Sequence, residues 1–521
     1  MTTVDAVVVG AGHNGLVAAN LLADAGWEVL VCEAAEEPGG AVRSAEIAPG
    51  FTSDLFSAFY PLAAASPVLA ELDLDVRWRH APDVLAHVTP DDRCVVLSRD
   101  LDRTAAGLDA FAAGDGAAWR ELAAQWRELR DPLMETVLRP FPPVRGGLRL
   151  ARTLGAADGL RFARTLVQSV RHFAAERFAG EEAALLLAGN ALHTDLGPDD
   201  AGGAVFGWLL AMLAQDVGFP VPEGGAGTLT AALVDRFAGT LTCGRPIREV
   251  LVRDGRAVGV RDAEGSVVHA RRAVLADVPA PVLYRDLVGE AQLPPRFVRD
   301  LAGFRWDTAT VKLDWALDGT VPWTAQGARG AGTVHLGADL PGLRGYTADL
   351  AAGRVPAEPF LLFGQMTTTD PTRSPAGTES AWAYTHVPRD LDWSAADLAR
   401  HADRVERAVE RNAPGFRDLV RERRVAGPGD LQARNPSLVG GAISGGTTAI
   451  DQQLVFRPVP GLGRADTPVD GLFLASASAH PGGAVHGGPG ANAARAARAA
   501  AGRLGPVYRG VVGAAHRRLY R

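Results

Sequence analysis

Gly10, Gly12 and Gly15 stand in a GxGxxG run between an apolar strand-like stretch, Ala6–Val9, and an Ala/Leu-rich helical stretch. A second apolar run, Val29–Cys32, ends at Glu33, roughly 20 residues beyond the last glycine, the spacing at which an acid reaches a ribose. Each residue type has a task in holding an ADP-containing dinucleotide. Gly10 permits a tight turn, Gly12 lets backbone approach a pyrophosphate, and Gly15 lets helix pack on strand. His13 and Asn14 open the helix, whose free N–H groups and positive dipole end suit phosphate, and Glu33 can accept from both ribose hydroxyls.

Gly39, Gly40 and Arg43 follow Glu33. An NAD domain has no need of a glycine pair and an arginine there. A resident flavin does, because chain must run close along the pyrophosphate and ribityl chain while an arginine pairs with phosphate oxygens. The expected cofactor is therefore FAD. Near the C-terminus a strand enters a turn containing His480, Gly482, Gly483 and His486, and Gly488, Pro489, Gly490 and Ala491 open an Ala/Arg helix. That helix N-terminus suits a flavin ring that gains negative charge on reduction.

Flavin chemistry asks the protein mainly to orient substrate and tune the ring. His480 and His486 are candidate general bases, with hydrogen bonding to loop carbonyls as the plainer role. Lys312, the sole lysine, lies on an alternating strand and is a third catalytic candidate, although an arginine-rich composition alone explains its rarity. Tyr60 and His193 are candidate substrate contacts.

The elements that must position these residues are interleaved. Residues 1–72, 220–300 and 431–521 read as a cofactor domain, and 73–219 and 301–430 as a substrate domain. Asp254-Gly255 joins two short alternating strands as a hairpin.

The N-terminal fingerprint and Gly482–Gly490, together with Gly50-Phe51-Thr52-Ser53-Asp54, Pro220–Gly225 and Phe456-Arg457-Pro458, resemble the phytoene-desaturase-like branch of the FAD oxidoreductases that include the amine oxidases. The resemblance implies an α/β fold: a Rossmann-like FAD-binding domain of the glutathione-reductase-2 type interleaved with an α+β substrate domain. It also implies that backbone near Val250 meets the adenine, and that the chain desaturates a largely apolar organic substrate by hydride transfer to flavin N5. Oxygen or a quinone would be the electron acceptor. Amine oxidation, oxygenation, flavin-dependent isomerisation and lipid or prenyl binding without catalysis are the alternatives.

The 521 residues suffice for two domains, and a net charge of −7 argues against nucleic acid as a partner. Three cysteines without CxxC spacing exclude a redox-active disulfide motif. The first strand leaves no room for a signal peptide, so a cytoplasmic location is expected. Arg139, Arg145, Arg149, Arg152, Arg161, Arg164 and Arg171 interleave with apolar residues, which makes this stretch a candidate for peripheral contact with an anionic membrane. Oligomeric state is left open.

Overall fold

The computed structural model describes residues 2–521 and contains two seven-stranded sheets, each covered by helices. In the first, strand Thr2–Val9 runs parallel between Val29–Cys32 and Val267–Ala276, with Thr240–Thr242 and Leu472–Leu474 parallel outside them. The Asp254-Gly255 turn, both residues at positive φ, joins Ile247–Arg253 to Arg256–Asp262, as a two-residue hairpin loop requires. Alternation then sorts the first strand between two cores. Ala6 and Val8 pack with Leu16, Val17 and Leu22 of helix His13–Asp24, whereas Val7 and Val9 pack with Val250, Val260 and Leu283 beneath the hairpin. This is a mixed α/β chain whose first sheet has a Rossmann-like arrangement.

The second sheet takes its strands from 83–97 and 309–426, in the order Val420–Ala426, Ala309–Leu317, Glu379–Val387, Leu361–Gln365, Ala331–Leu336, Asp83–Val88, Cys94–Leu97. One face packs Trp315, Phe363 and Phe416 against helix Ala395–Asn412, which a Ser394–Asp397 capping box starts. The other face lies under helices Asp115–Val137, Glu182–Ala191 and Gly203–Asp216, where Trp126 and Phe162 meet Trp208 edge-on at 5.6 and 5.7 Å. Each such pair adds about 0.5–1.5 kcal/mol beyond the area it buries.

Candidate active site

Two helix N-termini converge on the carboxyl end of the first sheet. Helix His13–Asp24 and helix Gly488–Ala501 cross so closely that a Cβ on Gly490 would run into the Asn14 backbone. A Cβ on Gly15 would likewise strike the Gly10 carbonyl, and one on Gly12 would come within 2.6 Å of Asp277 Oδ2. Gly12 caps the first helix without a side-chain hydrogen bond, leaving backbone donors for a ligand. His13 Nε2, Asn14 Oδ1 and Asn492 Nδ2 are buried there without a protein partner.

Glu33 ends its strand beside this cradle, accepting from the Ala11 N–H at 2.6 Å and the Ala35 N–H at 2.8 Å. The second glycine segment lies along the first. Gly39 N–H donates to Ala11 O at 2.8 Å, and a Cβ on Gly40 would stand 3.1 Å from Gly12 Cα. Backbone thus lies on backbone, as a buried pyrophosphate needs. Orphaned polar atoms, two converging N-termini and glycines with no room for a side chain all fit the ADP half of FAD. Arg43 is held over the Phe56 ring and donates through Nε to Gly40 O and through Nη2 to Arg434 O. Val250 turns its side chain into the core under the hairpin.

Asp277 was not among the expected site residues. It ends the strand beside Gly10 and accepts the Gly15 N–H at 2.8 Å. Burial pushes its carboxyl up to about 7; the Gly15 bond opposes the rise and nearby Glu33 adds to it. The Ala276-Asp277 strand end was legible in the sequence, but its approach to the glycine loop was not.

The C-terminal turn engages its histidines with backbone. His486 Nε2 faces Gly483 O at 3.0 Å, while its Nδ1 accepts the Gly488 N–H at 3.0 Å. Both nitrogens being taken, this ring has no free position for proton transfer, and burial drives its pKa down to about 3. His480 Nε2 donates to Arg139 O at 3.1 Å and is also held neutral by burial, near 4. Gly483 packs on the 443–448 loop, where a Cβ would stand 2.7 Å from Ser444 O. Three ions clamp that loop. Asp307 accepts from the N–H groups of Ile443, Ser444 and Gly446, Asp195 binds Thr447 and Thr448, and Arg457 donates to the carbonyls of Ser444, Gly446, Thr447 and Ala477.

Lys312 lies in the second sheet, buried, with Nζ paired to Asp314 and 5.8 Å from the Trp382 ring. Asp314 also accepts the Ser53 hydroxyl at 2.5 Å. Around this pair runs a chain of rings absent from the sequence expectations apart from His193. Phe219 lies 5.9 Å from His193 and 6.5 Å from Phe59, Phe59 lies 6.0 Å from Trp382, Trp382 stacks on Tyr384 at 5.9 Å, and Tyr384 meets His386 at 5.6 Å. His386 returns to Leu192 O at 3.2 Å, next to His193. Phe59, His193 and Tyr384 keep accessible surface inside this otherwise buried region. Tyr60 points elsewhere: its hydroxyl donates to Ser57 O and its ring packs in the first-sheet core. Period-2 reading of 379–387 could have found Trp382, Tyr384 and His386 together on one strand face; nothing local could have joined them to His193.

The helical stretch Val144–Thr165, broken at Gly155, carries five of the seven arginines and lies on the surface, with Leu148 53% and Leu160 76% exposed, while Phe162 is buried. No helix among the described residues is long and apolar enough to cross a membrane.

The family described as flavin containing amine oxidoreductase matches residues 15–504. The chain is 28% identical to the pyridine nucleotide-disulfide oxidoreductase domain-containing protein 2 of Mus musculus, over 94% of this chain and 92% of that protein. It is also 28% identical to the zeta-carotene-forming phytoene desaturase of Myxococcus xanthus, over 91% and 90%. The fold resembles that of an oxidoreductase from Methanosarcina mazei, with a TM-score of 0.62 at 16% identity, covering 95% of this chain and 99% of that one. Cys32, Cys94 and Cys243 are free.

Proposed function

The chain belongs to the flavin containing amine oxidoreductase family and is an FAD-dependent oxidoreductase, and from that premise we propose that it dehydrogenates a largely apolar organic substrate. The observation that carries this reading is the ring-lined face of the second sheet, where Phe59, Phe219, Trp382 and Tyr384 meet around a charge pair that is already closed. Bound FAD supplies a two-electron acceptor. The aromatic side chains would exclude water and hold an apolar skeleton against it. Lys312, fixed by Asp314, is the group we assign beside the reacting carbon, and Tyr384 and His193 are assigned to substrate positioning. Gly10, Gly12, Gly15, Glu33, Gly39, Gly40 and Arg43 are assigned to the ADP half, with residues 482–491 assigned to the ring. His480 and His486 are then positioning residues that set the shape of the glycine turn.

Amine oxidation is the competing reading, favoured by the family match. A protonated amine can be held by a carboxylate or by the faces of aromatic rings; the carboxylate on this face, Asp314, is already taken by Lys312 and Ser53. The similarity to a phytoene desaturase supports carbon–carbon dehydrogenation instead. Anaerobic mixing of the holoenzyme with candidate apolar substrates tests the choice. With substrates that carry no nitrogen, bleaching of the flavin with a product lighter by two hydrogens is expected; a product of unchanged mass, or bleaching only by amines mixed in the same way, overturns it. Reoxidation is assigned to oxygen or a quinone. The exposed Arg/Leu helix is proposed to rest on anionic membrane. Co-sedimentation with anionic but not neutral vesicles, abolished by high salt, is the expected result, and equal recovery from both would refute it.

A further inference from the structure

Four of the twelve histidines, His87, His193, His335 and His386, meet inside the second sheet domain, and their hydrogen-bond pattern determines where each carries its proton. His87 and His386 present Nε2 to carbonyl oxygens, Ala338 O at 2.8 Å and Leu192 O at 3.2 Å. A carbonyl only accepts, so both rings are protonated at Nε2 and bare at Nδ1. Their Nδ1 atoms are buried without partners, as is that of His335.

His335 has one ring partner, His193, at 2.9 Å between the two Nε2 atoms. Its other edge lies on helix Glu182–Ala191 at Gly189, where even a Cβ would collide with Nδ1. A hydrogen on that Nδ1 would be a buried, orphaned N–H, which folded proteins tolerate less readily than an unfilled lone pair. His335 is therefore assigned the same tautomer as His87 and His386 and donates through Nε2. His193 must then accept at Nε2 and carry its own proton at Nδ1. Burial lowers the pKa of all four imidazoles, and neighbouring rings add to the fall at His193 and His335, which favours the neutral rings that this hydrogen-bond pattern describes.

No protein hydrogen bond engages His193 Nδ1 or the Tyr384 hydroxyl, and both side chains keep accessible surface within the ring-lined face. On the reading of that face as the substrate wall, we propose that the substrate carries a neutral hydrogen-bond acceptor, a carbonyl or hydroxyl oxygen, on its apolar skeleton, and that His193 Nδ1–H donates to it. His193 is thus a specificity residue, oriented by His335 and edge-packed by Phe219 at 5.9 Å. A site built to give a hydrogen bond discriminates against the analogue that cannot take one.

Cyclohexanone and methylenecyclohexane, which differ only in an exocyclic oxygen or CH2, are suitable probes for the holoenzyme, with binding read as perturbation of the flavin absorbance. The ketone is expected to bind about 3- to 10-fold more tightly, the range of one net hydrogen bond. His193→Phe should abolish that preference with the loss falling on the ketone. Equal affinities in the wild-type protein overturn the proposal while leaving the substrate wall in place; failure of both probes to perturb the flavin overturns the wall itself. Nitrogen-15 labelling of the twelve histidines gives a second readout, with the resonances that vanish in His193→Phe identifying that ring. A proton on His193 Nδ1 is expected, and one on Nε2 refutes the assignment. Should His193→Phe not fold, Tyr384→Phe decides: a ketone preference that survives it supports His193 as the donor, and one that is lost overturns the assignment.

Discussion

The surfaces proposed for cofactor and substrate on the two sheets are built in opposite ways. At the first sheet the surface is backbone: Gly10, Gly12, Gly15, Gly39 and Gly490 bring main chain to main chain, and the helix termini supply the donors. At the second sheet it is side chain, with Lys312, Asp314, Trp382, Tyr384 and His386 arrayed on strands and Phe59, His193 and Phe219 brought in from elsewhere. Backbone recognition suits a ligand of fixed geometry, such as a pyrophosphate. Side-chain recognition can be altered one residue at a time without disturbing the sheet, so differences in substrate can reside there.

The contrast is broken most severely at a glycine. Gly15→Val should give a protein that purifies colourless, because a side chain there meets the Gly10 carbonyl and displaces the helix terminus from the pyrophosphate. Retained flavin at wild-type stoichiometry would mean that backbone approach is not what holds the cofactor. The second site should answer instead through its charge balance. Lys312→Met leaves Asp314 buried with only the Ser53 hydroxyl as a side-chain partner, and a stability loss of about 3–5 kcal/mol is expected in denaturant unfolding. Lys312→Met with Asp314→Leu should recover most of it, while flavin content stays near wild type in both.

A smaller effect is expected at Glu33, whose carboxylate stands beside the glycine cradle. Glu33→Gln weakens an acceptor toward the Ala11 N–H and the ribose, and FAD affinity should fall roughly tenfold by equilibrium dialysis, or about 1.4 kcal/mol. A thousandfold loss would show that side chain, not backbone, dominates there.

The smallest effect concerns Asp277, whose carboxyl in the folded protein is raised from 3.8 to about 7. A group raised on folding binds its proton in the native state first, so it stabilises the fold below about pH 4 and that contribution is lost as pH rises through 7. Asp277→Asn should therefore be the more thermostable protein at pH 8, by a few degrees, with the gap closing as pH falls toward 4. The histidines act in the other direction. His193, His480 and His486, lowered to about 3, 4 and 3, favour unfolding as pH falls below 6.5, so both proteins should lose stability in acid. A gap that widens in acid would mean that Asp277 is ionised in the fold.

The glycine turns proposed for the cofactor were readable because each lies in one contiguous segment. Gly10–Gly15, Gly39–Arg43 and Gly482–Ala491 each carry their own turn and helix start, and local φ and steric demands allow few residues in such places. Asp277 escaped notice, since an acid at a strand end has meaning only once the strand lies beside Gly10. The histidine roles were legible only as candidates. Residue type said that His486 could move a proton, and the Gly483 and Gly488 contacts show it holding the turn instead.

The second site is the reverse case. Of its residues the sequence reading singled out Lys312, on an alternating strand, and His193; the register that sets Lys312 opposite Tyr384 and Asp314 opposite Trp382 arises from sheet pairing across more than sixty intervening residues. His193 and His335 are joined only by the packing of helix Glu182–Ala191 on the sheet. By itself, then, the sequence determined the nucleotide cradle and the alternation of the strands, because steric limits on backbone act over a few residues. Which side chains face one another around the substrate, and where their protons reside, was decided by tertiary structure, because hydrogen-bond partners and burial belong to residues that only folding brings together.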